Sequence, residues 1–120
     1  MKLVVSLIII LAAVSVVSAQ EIAKDSLYIV TYTTGASWDS SKGPGEQTFF
    51  KEHSQHLSSL RKEGVITMGA RYADKGIIVI KAKSFSHAQE IVASDQAIAN
   101  QLFNTDIQKL SVFYPGCVER

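Results

Sequence analysis

The order of its predicted secondary-structure elements places this chain in the α+β class. Segments rich in β-branched and aromatic residues, which are typical of strands, occur at four places in the sequence. Two other segments repeat apolar residues every three to four positions, as amphipathic helices do. Their order is strand, helix, two strands, helix, strand. A four-stranded antiparallel sheet with both helices on one face accommodates this order.

A leader is predicted before the domain. Met1 and Lys2 give a basic start, an almost uninterrupted apolar run covers residues 3–17, and an A-x-A-like pattern ends at Ala19. This pattern predicts a secretory signal peptide over residues 1–19. A membrane anchor is less favoured, because the apolar run is shorter than the ~20 residues that a spanning helix needs. The protein is therefore expected to be exported, to the periplasm or beyond, without membrane attachment after the leader is removed.

The composition of the remaining chain excludes several partners. Of twelve Lys and Arg residues, eleven remain once Lys2 is lost, and they balance eleven Asp and Glu residues. Nucleic acids and anionic membranes need a clustered basic surface, so neither is expected as a partner. The single cysteine, Cys117, is expected to be a free thiol or to form an intermolecular bridge. Because the sequence lacks zinc, redox and phosphate-loop motifs, no metal and no cofactor are predicted.

The domain is predicted over residues 27–115, after a flexible lead-in over residues 20–26. Its first strand, residues 27–33, is apolar on both faces and needs cover on both. Two helices on one side cover only one face of the sheet. The other face is therefore expected to pack against a second copy of the chain in a two-fold dimer.

The loop over residues 34–45 is long for a small domain, and long loops often carry function. It contains Trp38, the only tryptophan of the chain. Two roles are open for this side chain. It packs onto the core, which is the more common outcome for a lone aromatic residue, or it covers a ligand pocket.

The helix predicted over residues 46–64 carries the candidate site. Two histidines, His53 and His56, point into its apolar stripe instead of toward water. An imidazole in such surroundings is either a hydrogen-bonded core group or part of a site, because histidine exchanges protons near neutral pH. The two histidines alone are weak evidence for a metal site, since the sequence shows no third ligand. The stripe consists of Phe49, Phe50, Leu57 and Leu60.

Two strands joined by a hairpin are predicted next, over residues 65–72 and 76–82. Gly69 interrupts the first of them, which indicates a bulge or a close backbone approach. Arg71 and Tyr72 lie at the end of this strand. They either face water or bind an anionic substrate.

The second helix is predicted to begin at Ser84, and a short helix over residues 97–103 follows it. Asp95 precedes the short helix, where a carboxylate can serve as its N-cap. The last strand is predicted over residues 107–114. This completes βαββαβ, the split βαβ arrangement of ferredoxin-like folds.

Several short motifs, in their order and spacing over roughly residues 27–114, resemble the YCII family of small α+β proteins. The resemblance implies a dimeric α+β barrel, in which two ferredoxin-like sheets pack face to face. It also implies a catalytic dyad that falls on His53 and Asp95. The motifs are His53-x-x-His56-Leu57-x-x-Leu60-x-x-Glu63-Gly64, Gly69, Gly76-Ile-Ile-Val, Ser84-x-x-x-Ala88 and Asp95.

The chain departs from the family pattern in three respects. Gln96 follows Asp95, and Ala70 follows Gly69, where the family has proline in both places. Without proline the backbone around Asp95 has more conformational freedom. Members are mostly cytoplasmic, so the export signal is also unusual.

The resemblance and the residue chemistry together favour a small enzyme of the lyase or isomerase type. A carboxylate that accepts a hydrogen bond from one imidazole nitrogen fixes the tautomer and leaves the other nitrogen free to take a proton. His53 is therefore predicted to be a general base for elimination or isomerisation of a small molecule, and Asp95 its orienting partner. The alternative is a dimer that binds a small molecule without catalysis or has a structural role. Candidate substrate-binding residues are Trp38, His56, Arg71 and Tyr72.

Overall fold

The computed structural model describes residues 24–120, and it confirms the predicted fold class. Its four strands form one antiparallel sheet in the spatial order β2-β3-β1-β4, which is the ferredoxin-like arrangement. The predicted leader lies outside the described residues. Among the helices within residues 24–120, none is long and apolar enough to cross a membrane. The elements are β1 (Ser26–Thr34), α1 (Phe50–Lys62), β2 (Ile66–Tyr72), β3 (Lys75–Ala82), α2 (Phe85–Ala93), α3 (Gln96–Ala99) and β4 (Phe103–Leu110).

The hydrophobic core lies between the helices and one face of the sheet. Alternation along β1 buries Tyr28, Val30 and Tyr32 on this face. The other core side chains come from the helices and from the strands beside β1. They include Leu60, Ile66, Ile78, Ile80, Ala82, Ala88 and Val92.

The opposite face of the sheet is also apolar at its centre, as the sequence of β1 predicts. Leu27, Ile29 and Thr31 are half-buried there. The register places Val79 and Ile77 of β3 on the same face, directly across from Ile29 and Thr31. No helix within residues 24–120 covers this face. We call it the open face.

Helix α1 begins four residues later than the sequence predicts. Residues Pro44–Glu46 form a separate 3₁₀ turn, and Gln47 is extended, with φ −68° and ψ 138°. Phe49 then adopts a left-handed conformation, with φ 70°, before the helix starts at Phe50. A left-handed residue cannot continue a right-handed helix, so the apolar periodicity runs past the helix boundary.

Strand β4 also differs from its predicted position. It starts at Phe103, which was expected to end the short helix, and it stops at Leu110 instead of residue 114. Its length is set by β1, because the pairing runs from Thr34 opposite Phe103 to Leu27 opposite Leu110. Residues beyond Leu110 have no strand partner within the described chain.

The irregularity predicted at Gly69 lies elsewhere. The register of β2 against β3 shifts between Ile66 and Met68, whereas Gly69 pairs regularly with Ile78. Gly69 therefore has another structural effect, which becomes visible in the cavity beneath α1.

Candidate functional site

A cavity of about 590 Å³ opens between α1 and the end of the sheet where β2 meets β3. The helix contributes one continuous face to it. Phe50, His53, Ser54 and Leu57 follow the i, i+3, i+4, i+7 spacing and all line the cavity. This volume lies within the range of about 300–1,000 Å³ that is usual for small-molecule sites.

Two glycines make room for the cavity on the sheet side. Gly69 and Gly76 line it, and their strand partners Ile78 and Tyr32 belong to the face that packs under the helices. A Cβ atom at either glycine would meet its nearest neighbour at 3.8 or 3.9 Å, which is ordinary van der Waals contact. Both glycines therefore leave room on the sheet side of the cavity.

Aromatic side chains surround His53. The Phe103 ring lies 4.8 Å from the imidazole and the Tyr32 ring 5.3 Å from it, measured between centroids. Trp38 packs on Phe103 with the ring centroids 5.7 Å apart, and Phe50 lies 6.1 Å from the imidazole. The histidine is thereby held in largely apolar surroundings and is 8% exposed.

His53 and Asp95 form a buried pair. Nδ1 of His53 lies 2.5 Å from Oδ2 of Asp95, a residue that is only 1% exposed. Because an ionised carboxylate can only accept a hydrogen bond, Nδ1 carries a proton and donates it. The second carboxylate oxygen accepts the backbone N–H of Ala97 at 2.9 Å. Asp95 is therefore both the N-cap of α3 and the partner of the histidine.

The backbone around Asp95 is fixed without the proline of the family pattern. The N–H of Asp95 donates to Val92 O at 3.2 Å, at the end of α2. Its carbonyl accepts from Ile98 N and Ala99 N at 3.0 and 3.1 Å. These hydrogen bonds join α2 to α3 and hold the carboxylate against α1.

The charge state of Asp95 follows from two opposing effects. Burial alone would raise the pKa of Asp95, because it disfavours the charged form. The hydrogen bonds from His53 and Ala97, with the nearby His53 and His56 rings, outweigh burial and bring the pKa below its usual range. The carboxylate is therefore ionised at neutral pH.

Tyr32 stays protonated in this environment. Burial raises the pKa of its phenol far above the usual range, and the negative charge of Asp95 raises this pKa further. Tyr32 lines the cavity, and its hydroxyl has no hydrogen-bond partner within residues 24–120. It is available as a neutral donor to a bound ligand.

The remaining nitrogen of His53, Nε2, is the group that the cavity can use. The imidazole lines the cavity, whereas Asp95, bound to Nδ1, does not. With the proton held on Nδ1, Nε2 carries a free lone pair and can accept a proton from a ligand.

The structure brings together only some of the candidate residues. Trp38 and Arg71 line the same cavity as His53. His56 instead lies against α2, where its Nε2 is 3.0 Å from Ile91 O. Tyr72 belongs to the open face and is 54% exposed. Neither His56 nor Tyr72 lines the cavity.

Sequence reasoning missed two contributors to the site. Phe103 was expected in a helix, but it lies in β4 and makes the closest aromatic contact with His53. Gln47 was expected in the first turn of α1, but it is 5% exposed and binds the preceding loop. No pattern in the sequence marks either role, because both depend on contacts between distant elements.

Two anchors fix the loop that carries Trp38. At its start Gly35 donates to Leu102 O at 2.8 Å, so closely that a Cβ on Gly35 would lie 2.2 Å from Gln101 O. At its end Gln47 accepts from Asp39 N at 2.9 Å and donates to the carbonyls of Asp39 and Lys42 at 2.6 and 3.1 Å. The indole is thus placed beside Phe103 by an ordered loop.

We expect Gln47→Ala to loosen this loop. Loss of its three hydrogen bonds should lower the free energy of unfolding by about 1–2 kcal/mol. It should also shift the fluorescence of Trp38, the sole tryptophan, to longer wavelength as the indole becomes wetter. Gln55→Ala, at an exposed position of α1, is the matched control and should change neither quantity. An unchanged emission spectrum in Gln47→Ala would show that the hydrogen bonds of Gln47 do not hold Trp38 in place.

Comparison with known proteins adds no assignment. A scan against models of known families found no match, and a search of curated proteins found none either. The resemblance to the YCII family therefore stays a prediction based on the motifs. Within residues 24–120, no group of three or more His, Cys, Asp or Glu residues has the arrangement needed to hold a metal ion.

Proposed function

We propose that this protein is a small enzyme that uses His53 as a general base for elimination or isomerisation of a carbonyl-bearing small molecule. The observation that supports this most directly is the His53–Asp95 pair, with Nδ1 bound to a buried carboxylate and the imidazole lining a cavity. Such a pair fixes the tautomer and leaves the other ring nitrogen free to take a proton. The resemblance to the YCII family supports the same assignment, and membership of that family is part of the proposal.

The proposed reaction begins with proton transfer from carbon. Nε2 of His53 takes a proton from the carbon next to a carbonyl group. The C–H electron pair forms a C=C bond to the carbonyl carbon, and the carbonyl π pair moves to the oxygen to give an enolate. The Tyr32 hydroxyl is a suitable donor to that oxygen, because it remains neutral and protonated. Return of the proton to another carbon gives the isomer. Departure of a leaving group from the adjacent carbon gives the elimination product.

Deuterium exchange tests the base without knowledge of the natural substrate. Small oxo acids and cyclic ketones are incubated with the protein in deuterated water, and loss of the proton signal next to the carbonyl is followed by NMR. We expect the wild-type protein to accelerate exchange of those compounds that fit the cavity. His53→Gln should slow this exchange by about 10²–10⁴-fold, the usual contribution of a general base.

The matched control for this experiment is His87→Gln. His87 lies near the start of α2, where its ring accepts a hydrogen bond from Lys83 N, and it does not line the cavity. Its replacement should leave the exchange rate unchanged. Equal exchange rates in wild type and His53→Gln would count against the base, and the protein would then be better described as a binding module.

We also propose that the open face packs against a second copy of the chain, as in a dimeric α+β barrel. Its centre is apolar, with Ile29 and Val79 side by side. Met68, 40% exposed, and Tyr72 extend the apolar surface toward the sheet edge. A two-fold dimer would bury this surface on both copies at once. Export to the periplasm or beyond is the third part of the proposal, and it rests on the predicted leader.

Replacing an apolar side chain at the centre of the open face tests the dimer. We expect the mature chain to sediment as a dimer at micromolar concentration and Ile29→Lys to sediment as a monomer, because a buried unpaired ammonium opposes association. Lys81→Glu, at the margin of the same face, should remain dimeric. A wild-type monomer would contradict this part of the proposal.

A further inference from the structure

The charged groups around the cavity leave one cation without a partner. Arg71 lines the cavity at an exposed position, and its guanidinium has no ion pair and no hydrogen bond to another residue within residues 24–120. Lys75 is differently placed, because its Nζ lies 3.4 Å from Asp74 Oδ1 and 5.8 Å from the centre of the Tyr72 ring. Arg61, the other arginine before the C-terminal tail, donates to Ile66 O and Thr67 O. Arg71 is therefore the free positive charge of the site.

The register of the sheet places Arg71 on the cavity side. Its strand partner is Gly76, whose other neighbour, Tyr32, packs under the helices. Because paired residues project to the same face, Arg71 belongs to that face too. Gly76 leaves open space beside it. A guanidinium there can reach a ligand in the cavity without displacing a protein side chain.

The walls of the cavity are suited to a flat apolar group. Trp38 and Phe50 flank Phe103, with centroid distances of 5.7 and 6.5 Å to its ring. Aromatic rings favour offset or edge contacts with another planar ring. The lining is therefore apolar and aromatic near His53, and cationic at Arg71.

We infer that the cavity binds a carboxylic acid with a planar, ring-sized body, whose carboxylate pairs with Arg71 while the ring lies against Trp38, Phe50 and Phe103. This names the ligand class of the site, and it rests on the proposed function for what His53 does to the ligand. A guanidinium presents two parallel N–H donors that match the two oxygens of a carboxylate. Such a ligand presents its ring to Nε2 of His53.

A carboxylate fits the charge of the site better than a phosphate does. The ligand meets one free cation, Arg71, and the buried carboxylate of Asp95 lies behind His53. A phosphate monoester carries nearly two negative charges at neutral pH and would need a second free cation. Lys75 and Asp74 line the same cavity with their charged groups 3.4 Å apart, so the net charge that this pair contributes is close to zero.

Four probes of graded chemistry test the inference by ligand-observed NMR titration of the mature chain. Benzoate and benzamide differ in charge at constant shape, acetate lacks the ring, and phenyl phosphate replaces the carboxylate. Wild type should bind benzoate more tightly than each of the other three. Arg71→Met should lower the affinity for benzoate about ten- to a hundredfold, because a charge-assisted hydrogen-bonded pair is lost. The affinity for benzamide should not change.

Variants separate a specific pair from general charge effects. Arg71→Lys should bind benzoate with an affinity between those of wild type and Arg71→Met, since lysine keeps the positive charge but lacks the two parallel N–H donors. Lys51→Met, at an exposed position of α1 that does not line the cavity, should change nothing. The inference is overturned if wild type does not bind benzoate, or if it binds benzamide, acetate or phenyl phosphate at least as tightly. It is also overturned if Arg71→Met still binds benzoate more tightly than benzamide.

The same titration on His53→Gln distinguishes this inference from the proposed function. If the preference for benzoate persists but wild type shows no deuterium exchange, the carboxylate site would be supported and the role of His53 as a base would be rejected. If deuterium exchange depends on His53 but benzoate affinity does not change in Arg71→Met, the base would be supported and the carboxylate site would be rejected.

Discussion

Asp95→Asn should suppress deuterium exchange about as strongly as His53→Gln, by about 10²–10⁴-fold, in a protein that remains folded. Asparagine is as good an N-cap as aspartate, and its amide oxygen can still accept the Ala97 N–H. Its NH₂ group then faces His53 as a donor, whereas the carboxylate was an acceptor. Nδ1 of the imidazole must therefore accept, and the proton moves to Nε2. A protonated Nε2 cannot act as a base.

Two measurements separate this tautomer effect from a loss of structure. The nitrogen chemical shifts of ¹⁵N-labelled His53 should show the proton on Nδ1 in wild type and on Nε2 in Asp95→Asn. Asp25→Asn, at an exposed position just before β1, is the control and should leave both the shifts and the exchange rate unchanged. Full activity in Asp95→Asn would mean that the carboxylate serves only as the N-cap of α3.

His53→Ala should cause the largest loss of stability at this site. It leaves Asp95, 1% exposed, without the partner of one carboxylate oxygen. Leaving a buried carboxylate without its hydrogen-bond donor typically costs about 3 kcal/mol or more, because a buried charge is then left unsatisfied. We expect a value near the lower limit, because the neighbouring cavity lets water reach the carboxylate. Urea unfolding at pH 7 measures the change.

A second substitution identifies the orphaned charge as the cause. Adding Asp95→Asn to His53→Ala removes the negative charge and should restore more than half of the lost stability. A double variant no more stable than His53→Ala would assign the loss to packing around the imidazole instead. His56→Ala, which removes a hydrogen bond to a carbonyl, should cost only about 1 kcal/mol.

The pH dependence of stability should reverse sign between the two proteins. In wild type the pKa of Asp95 lies below its ordinary value of 3.8, so the carboxylate stabilises the fold above that pH. This contribution is lost as the pH falls through the folded-state pKa. In His53→Ala the buried carboxyl has lost its partner, and its pKa should lie above the ordinary value. That variant should therefore become more stable as the pH falls from 7 toward 4.

The sequence was most informative where one element determines its own conformation. Alternating apolar residues in β1 predict a strand that is buried on one face and apolar on the other, and the structure has both features. The hairpin between β2 and β3 was also found where expected, and the second helix begins beside Ser84, whose side chain accepts from His87 N. These features depend on local periodicity and turn chemistry, which the residue order specifies directly.

Errors occurred where a distant contact overrides the local pattern. The stripe of α1 includes Phe49 by periodicity, yet Phe49 is left-handed and lies two residues after Gln47, whose side chain binds the Trp38 loop. The apolar residues after Leu110 look like the end of a strand, but the limits of β1 decide where β4 begins and ends. In each case a hydrogen bond made across the fold outweighs a weak local preference.

The order of elements and the presence of an imidazole on the inner side of the first helix were determined by the sequence alone, because both follow from spacing along one segment. Only the tertiary structure decided which groups meet that imidazole. Asp95 lies 42 positions away from His53, and Phe103 and Arg71 reach the cavity from different strands. Such contacts depend on how the helices settle on the sheet, and no periodicity within a segment encodes that packing.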